Sequence, residues 1–163
     1  MTYTAEELQQ LPIEELDQIF CQTSHVDMPY GCFKGEHIVR LKNPGSKLPL
    51  SRVLEFLGFE VAPFGIDFRS NRWFFFSNLL QAGRFEPTVE RSRWRPTDVV
   101  ALHYNVSRLP RPMRNFLYDE VKPLSDTLLL GLGGINRELG MGDHFYFTLE
   151  LQEGTGRAVV QAS

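Results

Sequence analysis

Residues 128–140 read LLLGLGGINRELG, three leucines running into a cluster of glycines. A dinucleotide-binding turn would need G-x-G-x-x-G between a strand and a helix, so that backbone amides meet the phosphates at the helix N-terminus. Gly131 and Gly133 fit, but the sixth position is Asn136. The following RELGMGD is too short and too broken by glycine to form that helix, and HFYFTLEL after it alternates as a strand does. The Gly-Lys-Ser/Thr ending of a Walker-type loop is absent. The stretch therefore reads as a strand whose glycines let it coil sharply, then a hairpin loop. Closing barrels need such corners.

Working outward, Phe145, Phe147, Leu149 and Leu151 fall on one face of the last strand, with His144, Tyr146, Thr148 and Glu150 on the other. Earlier strand-like runs are 30–40, 59–68, 72–76, 84–94, 98–106, 116–122 and 127–135, parted by turn residues at 70–71, 82–83, 95–96 and 125–126. Strands at this spacing, with no room for helical crossovers, predict an antiparallel barrel or sandwich.

Helices are expected in two places. Thr4 and Glu7 make a capping box, and Pro12 opens a second short helix with Ile13, Leu16, Ile19 and Phe20 on one face. So short a helix holds only if that face docks, as a lid or plug would. Ser51 and Gly58 bracket a compact helix between early strands. The division expected is one domain, 1–163: a helical segment 1–25, a β-barrel 26–152 and a loosely held tail 153–163.

Bulk properties exclude several classes. A net charge of −3 and a pI near 5.8 argue against nucleic-acid binding. The start has no secretory pattern and no apolar run reaches the roughly 20 residues of a membrane helix, so a cytoplasmic chain without membrane insertion is expected. Cys21 and Cys32 match no metal-ligand spacing, and no metal or other cofactor is expected. Homodimerisation is left open.

Candidate site residues lie on the strands. Trp73 and Phe75 share a face of NRWFFFSN, either as core or lining an internal cavity. On 98–106 the apolar set is Val100, Leu102, Tyr104 and Val106, which puts His103 opposite, as a hydrogen-bonded residue, a general base or an axial haem ligand. Asp119 and Glu120 point to opposite faces, so they are not a close acid/base pair. Whichever points inward needs a partner, and Arg91 or Arg93 is the candidate.

The order PYGCFKG after an N-terminal helix, aromatic strands, then YDEV, LLLGLGGI and a final HFYFTLEL resembles the calycin-like barrels: lipocalins, fatty-acid-binding proteins and nitrobindin-like proteins. The likeness spans roughly residues 26–152. Phe33 stands where the lipocalin Gly-x-Trp motif has its Trp. The resemblance implies an up-and-down barrel with an apolar cavity, large enough in eight-stranded barrels for one small ligand.

The function expected is binding of a small, largely apolar aromatic or lipid-like acid inside the barrel. Trp73, Phe75, Tyr104 and Tyr146 would supply contact area, and Arg93, His103 and Asp119 would orient a head group. Two alternatives stand beside it: an enzyme on the same barrel (a decarboxylase, isomerase or cyclase), and a filled barrel serving as a protein-interaction module.

Overall fold

The computed structural model describes residues 3–22, 26–41, 63–75 and 81–152. Nine antiparallel strands form one sheet, curled into a nearly closed barrel: β1 (Cys32–Arg40), β2 (Phe64–Asp67), β3 (Arg72–Phe75), β4 (Gln81–Arg84), β5 (Glu86–Arg91), β6 (Asp98–His103), β7 (Leu117–Pro123), β8 (Leu128–Ile135) and β9 (Asp143–Leu151). Their order is β4-β3-β2-β1-β9-β8-β7-β6-β5. Every strand pairs with its sequence neighbour except at the β4/β5 seam, while β1 and β9 zip the two ends of the chain together. The up-and-down connectivity read from the sequence is therefore present.

The seam shows why the sheet must curl. Arg84 ends β4 opposite Arg72, and Glu86 begins β5 opposite His103 on β6. Only Phe85 separates them, which holds the two sheet edges within roughly 7 Å at that corner. The expected strand 84–94 is thus two strands bent apart at Phe85, with 92–97 a loop, and the expected turn at 82–83 lies inside β4. Pro87 is tolerated in β5 because β5 is an edge strand. The expected turn at 70–71 is real, and Asn71 adopts the left-handed conformation (φ 54°) that asparagine tolerates.

Side chains alternate cleanly on β6–β9. The inner set joins Val100, Leu102, Val121, Leu129, Phe147 and Leu149 with Phe33, Phe64, Ile66 and Trp73 from the opposite wall. The outer set, with Val99, Ala101, Tyr118, Leu128, Leu130, Leu132 and Tyr146, packs under α1 (Ala5–Gln9) and α2 (Ile13–Gln22). The Thr4/Glu7 capping box forms, and Leu16, Ile19 and Phe20 are the buried stripe. The helices dock on the outside of the wall and do not plug the barrel.

The glycines of LLLGLGGI serve close approach rather than sharp coiling. Gly131 is paired with Phe147 and Gly133 with Phe145, and neither has a positive φ. A Cβ at either position would overlap the paired phenyl ring. The same device recurs at Gly35 with Phe64 and Gly65 with Phe74. Each ring lies over the bare backbone of its cross-strand neighbour. The register of β8 on β9 shifts only at Gly133/Gly134, next to the hairpin loop.

Two local expectations change. Tyr104–Val106 is a 3₁₀ turn that ends β6 at His103, and α3 (Arg111–Phe116) precedes β7. The Arg-Pro pair at 111–112 explains the helix, since proline is tolerated in a first turn. The helix expected at 51–58 lies outside the described residues.

Candidate functional site

On β6 the inward parity of Val100 and Leu102 continues into the 3₁₀ turn, so Tyr104 enters the barrel, 3% exposed. On β7 the inward residue opposite Leu102 is Asp119. The Tyr104 hydroxyl donates to Asp119 Oδ2 at 2.5 Å. A second donor to this carboxyl is the Gly134 amide. A carboxylate is costly in such surroundings unless paired, and the partners here are a phenol and an amide, neither of them cationic.

Burial accordingly pushes the Asp119 pKa up to about 7, against the pull of the Tyr104 and Gly134 hydrogen bonds, and nearby Glu120 adds to the rise. Burial, followed by the adjacent Asp119, pushes the Tyr104 phenol well above its ordinary value, while Trp73 acts in the opposite direction. The phenol therefore keeps its proton, and the carboxyl exchanges one near neutrality. Around the pair lies an aromatic interior: Trp73 stacks on Phe64 at 5.4 Å between centroids and meets Phe147 at 6.0 Å. Gly133 leaves room for this arrangement, since a Cβ there would sit 2.8 Å from Asp119 Oδ1.

Of the seven residues named from sequence, Trp73, Tyr104 and Asp119 share the interior. The other three whose side chains are described lie on the outside. Arg93 belongs to the 92–97 loop, with its guanidinium 4.4 Å over the Tyr118 ring. His103 places Nε2 3.1 Å from Glu90 Oε2 and 3.1 Å from Thr88 Oγ1. Tyr146 is covered by α2, where its hydroxyl donates to Asp17. The side chain of Phe75 is not among the described ones. Period-two alternation sets His103 and Tyr104 on opposite faces, and Tyr104 is the one inside.

The expected arginine partners of the inward carboxylate do not take that role. Glu120, on the outer face and fully buried, is met by the Ser92 hydroxyl at 2.5 Å and by the Arg93 backbone amide at 2.8 Å. Burial raises its pKa as well, with these hydrogen bonds opposing. Lys122, also fully buried on that face, donates to Thr97 Oγ1 at 2.7 Å and to the Asp98 carbonyl at 2.6 Å.

The outer face also holds a clamp with no motif to announce it. Arg95 Nε reaches Asp17 of α2 at 2.8 Å, and Nη1 reaches Asp143 of β9 at 3.0 Å. Asp17 and Asp143 stand 78 and 48 positions from Arg95, and the docking of α2 brings Asp17 to the other two. Among the described residues no group of three or more His, Cys, Asp or Glu could hold a metal ion. Nor is any helix among them long and apolar enough to cross a membrane.

No family model and no curated protein matches this chain. A crystal structure of a protein from Thermomonospora curvata is similar over 87% of this chain and 88% of that one, at 14% identity and a TM-score of 0.47.

Proposed function

We propose that the barrel, of calycin-like type, binds a small, largely apolar aromatic or lipid-like molecule whose polar head hydrogen-bonds to Asp119 and Tyr104. The observation that carries this is a buried carboxyl in an aromatic interior, with no cation beside it among the described residues. Packing alone gains nothing from such a group, and strongly shifted acids gather at functional sites. The same feature narrows the ligand. A carboxylate head would meet a second negative charge, so a neutral hydroxyl or carbonyl head suits the pair, and an acid would enter in its protonated form.

Native mass spectrometry of the gently purified full chain tests the reading, with a tryptophan-emission titration against apolar alcohols, ketones and acids. A co-purified molecule or saturable quenching is expected, with binding weakened about tenfold in Tyr104→Phe and Asp119→Asn. A bare mass together with silence across the whole panel would sink the binder. That outcome favours a filled barrel acting as an interaction module. One observation already leans that way: the interior rings Phe33, Phe68, Phe85 and Tyr104 follow one another at 5.8, 5.6 and 6.4 Å.

A further inference from the structure

The β6–β7 and β8–β9 connections leave the same end of an antiparallel sheet, and the Asn136 amide donates to the Phe116 carbonyl at 2.6 Å to hold them together. Five of the eight exposed large hydrophobics among the described residues stand on these two connections: Val106, Met113 and Phe116 on the first, Leu139 and Met141 on the second. Scattered singly, such residues would need no explanation; gathered at one end they do. Charge is gathered there too. Residues 104–117 hold Arg108, Arg111 and Arg114 and no Asp or Glu, in a chain whose net charge is −3. The second connection adds exposed Arg137 beside Glu138.

We propose that this end of the barrel docks on an anionic lipid surface. Apolar tips separated by guanidinium groups suit an interface in which the former enter the acyl boundary and the latter stay among negative headgroups. A second copy is disfavoured as the occupant, because a two-fold contact through this patch sets arginine against arginine. The proposal rests on the exposed loops alone and stands whether or not the barrel holds a ligand.

Flotation of the full chain with vesicles tests it. With phosphatidylcholine vesicles containing about 30% phosphatidylglycerol, at least tenfold more protein should float than with pure phosphatidylcholine, and about 0.5 M salt should remove the difference. The double variant Arg108→Glu, Arg111→Glu, at exposed positions, should lose about tenfold in flotation while its thermal transition stays in place. Met113→Trp gives a second readout, since both native tryptophans are buried. Its emission should shift to the blue on the anionic vesicles and not on neutral ones. Protein that stays in solution with anionic vesicles overturns the proposal, as does equal flotation on both lipids or a charge-reversed variant that floats like the parent. A soluble complex with an acidic protein, without flotation, overturns it equally.

Discussion

Both faces of the β6–β9 wall are buried, yet they are built differently. Inside, phenyl rings lie over Gly131 and Gly133, and the Asp119 carboxyl is held by a phenol and an amide. Outside, Leu128, Leu130 and Leu132 fill the space under two helices, and the carboxylates Asp17 and Asp143 meet a guanidinium. Adjacent residues of one strand show the contrast: Asp119 faces in and Glu120 faces out, where a serine hydroxyl and a loop amide bind it. The outer face reads as a docking surface in which a guanidinium ties α2 and β9 together, while buried Glu120 and Lys122 are held by neutral hydrogen-bond partners. The inner face is a closely fitted aromatic lining around the Asp119 carboxyl, whose pKa burial lifts to about 7, and that acid among aromatic rings is what directs attention to function.

Gly131→Leu should have the largest effect, because the Phe147 ring already occupies the space a side chain would take. Overpacking of this kind is expected to cost about 3 kcal/mol or more, a large part of the whole stability of a modest domain. Urea denaturation measures it. The fit is specific to the pair, so in a Phe147→Ala background the leucine should cost far less, and the cycle should show strong non-additivity. Equal costs in both backgrounds would mean that glycine is present for backbone freedom instead.

Asp119→Asn should sharpen the comparison through pH. The folded chain holds the Asp119 proton up to about pH 7, whereas the unfolded chain releases it near the ordinary aspartate value of 3.8. Stability from this group is therefore complete below about pH 4, declines as pH rises, and is gone above about pH 7. The slope is about 1.4 kcal/mol per pH unit for one proton, giving an advantage of the variant over the parent on the order of a few kcal/mol by neutral pH. Parallel stability curves for the two proteins between pH 4 and 7 would show that the carboxyl is not the odd group described.

Much of this architecture was legible in the chain. Period-two alternation in 98–103 and 143–151 assigned the faces correctly because both faces are buried by distinct partners and a slip of one residue would exchange them. The strand break at Phe85 was not legible, since a bend that carries a strand from one sheet edge to the other has no local composition rule. Arg93 misled for a related reason: it looks like a strand residue, but the chain has already left β5 at Arg91. Parity put Asp119 opposite Glu120 and Tyr104 opposite His103, but it did not say which of each pair faces inward. It could not find the pairing of Asp119 with Tyr104, because Tyr104 reaches inward from a 3₁₀ turn beyond the strand end. The Arg95 clamp was invisible because its geometry is set by where α2 docks.

That clamp offers the last and smallest test. Arg95 is 11% exposed in its side chain and Asp143 4%, while Asp17 at 36% still sees water. Replacing Arg95 by Met keeps most of the apolar stem and removes the charge, so buried Asp143 loses its guanidinium while the Gly140 amide still donates to it at 2.9 Å. Removing one partner of a buried ion pair typically costs about 3 kcal/mol, and the exposure of Asp17 places the effect at the lower side of that range. The loss should be local in kind, since Arg95 also ties down α2. Amide exchange in 13–22 should quicken by more than the global loss explains, while the amides of β8 should follow the global value. Uniform quickening would make the clamp part of one cooperative core and dissolve the distinction between the two faces.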